Sequence, residues 1–181
     1  MLPEKIRSLA VSIGDAEHAG QLLKTSIYEF RYLNPAPEQV ALGLLMSPRE
    51  RLTWQDGDLF PPMDQNLPEG DLFMRIRALF PKQAMTPMHL LALMGRNGIG
   101  RVGYSLAEQP PVPLPRALSK SELLQTRYTP EVFDELVAAY LSTGAGIAGV
   151  QPKIMVPDRA TVPIPSLIVK AGSPAYPGLA A

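Results

Sequence analysis

Seven residues, Gln109-Pro110-Pro111-Val112-Pro113-Leu114-Pro115, constrain the fold of this chain more than any other stretch. Each proline removes a backbone donor and fixes φ, so the segment suits neither a helix interior nor a central strand. It reads as an extended, proline-stiffened connector over 109–115 that divides the chain into residues 1–108 and 116–181. With 181 residues and 46% hydrophobic content, the chain is long enough to bury a core as one domain, or one domain and a piece of another.

Before the connector, short apolar stretches alternate with turn residues. Residues 9–13 read as a strand, Gly14-Asp15 as a turn, residues 20–23 as the return strand, and residues 27–33 as a further alternating strand. Residues 40–46 form an apolar run that reads as buried. Residues 71–80 place Leu72, Phe73, Ile76, Leu79 and Phe80 at helical spacing. Thr86 is placed to cap a second helix, with Pro87 at its first position and Gly95 near its end. Residues 101–106 return to strand. This pattern predicts a small antiparallel sheet or barrel with helices.

After the connector, Ser119-Lys120-Ser121-Glu122 has capping-box spacing, and Thr129-Pro130 opens a helix with Val132, Phe133, Leu136, Val137, Tyr140 and Leu141 on one face. Gly144, Gly146 and Gly149 follow at the spacing G-x-G-x-x-G. Glycines let backbone N–H groups approach phosphate oxygens, but this pattern alone suits either a dinucleotide turn or a kinase loop. A dinucleotide turn leaves a strand and opens a helix, whereas here a helix precedes the turn. The apolar run Ile154-Met155-Val156, a Pro/Asp loop and the strand Leu167-Ile168-Val169-Lys170 come after it. Turn, strand, hairpin and strand with lysine is kinase order. Val is usual two residues after the last glycine of such a loop, and Gln151 stands there instead.

That departure fits one family. Gly146-Ile147-Ala148-Gly149-Val150-Gln151-Pro152-Lys153 resembles the glycine-rich loop of HipA-like serine/threonine kinases, the toxins of bacterial toxin–antitoxin pairs, with its A-G-x-Q-x-K core. Two further elements lie upstream in the family's order. Gln65-Asn66-Leu67-Pro68-Glu69-Gly70 resembles N-L-L-P-E-G, and the stretch from Leu93 through Gly95-Arg96-Asn97 to Val102-Gly103 resembles L-x-x-x-G-R-D-x-x-G-A-V.

The resemblance implies an α+β fold: a small antiparallel β-rich N-terminal subdomain with helices, followed by the start of a kinase-like N-lobe. It implies that Ala148, Gly149, Val150, Gln151, Lys153 and Lys170 face an ATP molecule, with Val102 near the adenine. The plain alternatives stay open at each position: Lys170 as a surface lysine at a strand end, Lys153 and Gln151 as solvated flanks, Gly144 as a helix C-cap, and Val102 as core. In the family, the carboxylate that accepts the substrate proton and the magnesium ligands lie well after the strand lysine. The expectation is therefore the N-terminal part of an ATP- and magnesium-dependent protein kinase, inactive by itself, with a protein target and a DNA-binding antitoxin as partners. The alternative is a non-catalytic module docking on a separate kinase chain or an antitoxin. Gly146 stands where relatives often carry an autophosphorylated serine, so that switch should be absent.

Composition supplies the remaining bounds. Seventeen basic and seventeen acidic residues leave no net field to attract nucleic acid or an anionic membrane, and no basic run appears. With no cysteine there is no disulfide, which suits a reducing cytoplasm. Charges recur through the first 25 residues, so neither a signal peptide nor a membrane span is expected. His18 and His89 are the only histidines and lack carboxylates at ligand spacing, which argues against a metal site. Asp56-Gly57-Asp58 reads as a turn and Met85, Met88 and Met94 as core packing. Trp54 reads as either a core anchor or a partner contact.

Overall fold

The computed structural model describes residues 3–33, 40–95, 100–106, 120–127, 129, 131, 132, 134, 135, 137, 153–157 and 165–170. The connector 109–115 and the glycine loop 144–152 lie outside the described residues. The fold is α+β. Strands β1 (Ser8–Ile13), β2 (Ala16–Lys24), β3 (Tyr28–Tyr32), β4 (Thr53–Asp56) and β5 (Val102–Ser105) form one antiparallel sheet in the order β4-β3-β2-β1-β5. Helices α1 (Pro61–Asp64), α2 (Gly70–Leu79) and α3 (Pro87–Met94) lie in the chain between β4 and β5.

Alternation along the strands sets which face is buried. Leu9, Val11 and Ile13 of β1, Leu22 of β2, and Tyr28, Phe30 and Tyr32 of β3 are buried in one cluster, together with Val102 and Tyr104 of β5. Met63, Met88, Leu91 and Met94 close the cluster from the helical side. Gly20 is required by close approach: a Cβ there would stand 2.5 Å from the Phe30 ring and 2.8 Å from the Arg31 carbonyl oxygen. The tight β1–β2 turn at Gly14-Asp15 pairs Ile13 with Ala16, as the sequence predicts.

Residues 40–46 differ from expectation. Leu42 and Met46 are buried, but Leu44 and Leu45 between them are 102% and 86% exposed. The reason is a hydroxyl. Tyr32 Oη accepts the Leu42 N–H at 2.7 Å and donates to the Met46 carbonyl, holding both ends of a turn whose middle must project outward. Burial pushes the Tyr32 pKa up, an effect partly offset by the Leu42 hydrogen bond and by Arg101. Trp54 sits on edge strand β4, partly buried against the core, and its indole donates to the Arg51 carbonyl at 3.1 Å. Asp58 N–H bonds to Asp56 Oδ1 at 3.2 Å, which makes 56–58 the expected turn.

Beyond the connector, α4 (Lys120–Gln125) is followed by helical residues 131, 132, 134, 135 and 137, with the Val132 N–H reaching the capping Thr129 hydroxyl at 3.4 Å. Strands β6 (Lys153–Pro157) and β7 (Pro165–Lys170) form a separate two-stranded antiparallel sheet. Prolines at the turn-side ends of both strands suit a hairpin whose strands are both edges. A second cluster joins this part to the first: buried Leu72, Ile76, Leu90 and Val137, with Val132, Leu123 and Val169 packed around them. Arg75 of α2 also pairs with Asp134.

Candidate functional site

Among the described residues, the hairpin brings one pair of sequence-predicted site residues together. Lys153 opens β6 and Lys170 closes β7, and the antiparallel register makes them direct cross-strand partners. The alternation of β7 leaves Lys170 exposed and Val169 half-buried in the second cluster. The register thus places two lysines at one cross-strand position, at the end of the hairpin away from its turn. The lysine ammonium carries three donors on a flexible stem. Ala148, Gly149, Val150 and Gln151 lie outside the described residues.

Val102 stands on the main sheet. It lies on β5 opposite Ile13, is buried in the main cluster, and also lines a cleft of about 380 Å³ with Gln65, Asn66, Arg101 and the 41–47 turn. The cleft brings together residues of both upstream motifs, Gln65 and Asn66 of the first with Arg101 and Val102 of the second. Arg101 ties the cleft to the 41–47 turn and to the β1–β2 turn: its guanidinium donates to the Ala41 carbonyl at 2.6 Å, and its own carbonyl accepts from the Gly14 N–H at 2.6 Å.

Each motif also has a structural task, of which the sequence reading assigned only the helix end at Gly95. In the first, Glu69 is the N-cap of α2 and Gly70 begins it with φ +55, a conformation that side chains disfavour. Asn66 donates to the Pro62 carbonyl at 3.3 Å, securing the link between α1 and α2. In the second, Gly95 caps α3, and its carbonyl accepts the Tyr104 N–H at 2.8 Å, seating the helix end against β5.

A family model described as the HipA N-terminal domain matches residues 9–105, more than half of the chain. The chain belongs to the HipA N-terminal domain family. No curated protein matches it. The match spans β1 through β5 with the three intervening helices, so the sheet and both motif regions constitute the HipA N-terminal domain, and the lysine hairpin lies beyond the matched residues. Among the described residues, no helix is long and apolar enough to cross a membrane.

Proposed function

We propose that this chain is the N-terminal part of a HipA-like, ATP-dependent protein serine/threonine kinase of toxin–antitoxin type. The observation that carries the reading is the register of Lys153 against Lys170 in a hairpin that follows a HipA N-terminal domain. The donor chemistry fits a nucleotide: two cations at one strand end complement phosphate oxygens, and a glycine-rich segment directly before β6 supplies backbone N–H groups for the same anion. ATP would supply the transferable phosphoryl group, and magnesium would share its charge. Within this chain, Lys153 and Lys170 would hold and orient the phosphates, with Gly149 and Gln151 beside them and Val102 on the adenine side. A protein target, a DNA-binding antitoxin partner and a cytoplasmic location accompany this reading.

The exposed Leu44-Leu45 turn favours a second reading, a non-catalytic module that docks on a separate kinase chain or an antitoxin, because two projecting leucines held by a buried tyrosine present a rigid apolar contact. One experiment separates the two. The protein purified from its own cell, with any chain it carries, is incubated with labelled ATP, magnesium and protein acceptors. Phosphate should appear on serine or threonine and fall at least about a hundredfold in Lys170→Ala, since catalysis here is mostly positioning and charge stabilisation. Transfer that is indifferent to Lys170→Ala overturns the kinase reading. Transfer that vanishes instead when Leu44→Ser/Leu45→Ser dissociates a second chain establishes the docking reading.

A further inference from the structure

A further cleft lies away from the hairpin lysines and from the motif cleft. It measures about 1110 Å³ and runs between the segment leading into β1 and the loop joining α2 to α3. Its rims carry Lys5, Arg7, Lys24 and Lys82, against one carboxylate, Glu4. In a chain with seventeen residues of each sign this is a marked local excess. The sequence shows no basic run because the four cations come from three distant segments.

Two features make the cleft a built site. Pro3 anchors one rim to the other: its carbonyl oxygen accepts from Gln83 Nε2 at 2.8 Å and lies 3.1 Å from His89 Nε2. The Thr86 N–H donates to His89 Nδ1 at 3.2 Å, so the neutral ring carries its proton on Nε2 and donates it to Pro3. The rims therefore hold a fixed spacing. Secondly, the cations are left without anions. The Lys24 N–H bonds to the Arg7 carbonyl at 2.9 Å, one step beyond the Ser8–Leu23 pair, which sets two positive residues across from each other. Lys24 Nζ is held 3.9 Å over the Tyr28 ring. Among the described residues, no ion pair neutralises Lys5, Arg7 or Lys82.

Between the rims the lining is apolar, with Phe80, Pro81, Pro87 and Met88. We infer that this cleft binds an extended acidic peptide segment that seats an apolar side chain between flanking carboxylates. Concavity disfavours a membrane surface, which needs a flat or convex face. A nucleic acid strand would need a row of exposed aromatic faces for successive bases, and this cleft offers only a half-buried Phe80 beside a Tyr28 ring that Lys24 covers. A peptide with carboxylates on either side of a leucine or phenylalanine meets both the charge and the floor.

The test selects random twelve-residue peptides on the immobilised full chain and measures the enriched ones by fluorescence anisotropy. Enriched peptides should carry at least two Asp or Glu around an apolar residue, and should weaken about tenfold or more in Lys5→Glu/Lys82→Glu, both exposed positions. The charge-preserving Lys5→Arg/Lys82→Arg should keep binding, as should Lys120→Glu/Arg127→Glu, an equal reversal outside the cleft. Serine in place of the peptide's apolar residue should also weaken binding about tenfold. Enrichment of neutral or basic peptides overturns the proposal, as does binding indifferent to Lys5→Glu/Lys82→Glu or to the serine replacement. It is equally overturned if a single-stranded DNA oligonucleotide or phosphatidylserine vesicles bind more tightly than the best peptide and lose that binding in the same variant.

Discussion

The five-stranded sheet and the lysine hairpin are both antiparallel, yet they are supported very differently. In the sheet, nineteen buried side chains from β1, β2, β3, β5, the helices and the loops form one cluster. The hairpin reaches a second cluster with four buried members, three of them from α2 and α3, and among its described residues only Val169 packs there. A lone two-stranded hairpin is marginal in water, so β6–β7 depends on what it leans against. The region that carries the candidate phosphate lysines therefore draws on a contact outside its own two strands, that of Val169. Local stability in a protein is uneven, and ligand-handling elements tend to come from its lower end.

The sharpest way to break the comparison is to remove the sheet's own support. Phe30 is fully buried, with its ring 4.7 Å from that of Tyr32 in an edge-on arrangement. Phe30→Ala should cost roughly 3–5 kcal/mol, from lost transfer energy and the cavity left behind. Because the second cluster rests on helices that pack on the sheet, both regions should unfold together. Chemical denaturation followed by circular dichroism and by hydrogen exchange at β6–β7 checks it. Hairpin protection that survives loss of the sheet would show an independent unit.

The reverse experiment targets the second cluster. Val137 is 1% exposed and belongs to the helical stretch beyond Thr129. Val137→Ala should cost about 1–3 kcal/mol. Its effect should fall on one side: amide exchange in β6 and β7 should accelerate while β1, β2 and β3 stay protected. Uniform acceleration across both regions would mean that the two clusters behave as one core.

The two regions also differ in how far they could be read from sequence. Strands β1 and β3 follow from the short apolar stretch 9–13 and the near alternation of 27–33, and α3 follows from Thr86, Pro87 and Gly95, because these signals are local, whereas β4 carries no such signal. The turn at 40–46 misleads because its apolar composition says nothing about the Tyr32 hydroxyl, eight or more residues earlier, that holds its ends and leaves Leu44 and Leu45 outward. At the hairpin, both lysines and both strands are legible from order along the chain, but their direct opposition is a matter of register, which pattern alone leaves free. The cationic cleft is invisible in sequence for a similar reason. Lys5, Lys24 and Lys82 come together only after β1 and β2 pair and Gln83 reaches Pro3.

A smaller effect sharpens the account of the sheet. Tyr32→Phe removes the hydroxyl that holds the turn and leaves the Leu42 N–H and Met46 carbonyl without their partner, at about 0.5–1.5 kcal/mol. Burial also raises the pKa of Tyr28, Tyr32 and Tyr104, and Tyr104 has no hydrogen-bond partner for its hydroxyl among the described residues. A raised folded pKa contributes stability that is fully present below the unfolded value near 10 and is lost as pH rises through the folded value. Stability should therefore fall above about pH 10. The loss should be shallower in Tyr32→Phe, measured by denaturant midpoints across pH 8–12.

The smallest expected effect tests what else tethers the hairpin side to the sheet side. Arg75 on α2 holds Asp71 one turn away at 2.9 Å and also Asp134 across the boundary. The Asp71 side chain is 16% exposed and that of Asp134 is 61% exposed, so water screens the second pair far more. A double-mutant cycle of Arg75→Gln with Asp134→Asn should give a coupling of only about 0.2–1 kcal/mol, near the low end, and less in 1 M salt, where screening acts over about 3 Å. The same cycle with Asp71→Asn should give the larger value. If the Asp134 coupling equals or exceeds it and persists in salt, the ion pair is a structural clamp, and the hairpin's dependence on the apolar contacts of Val137 and Val169 is smaller than the packing implies.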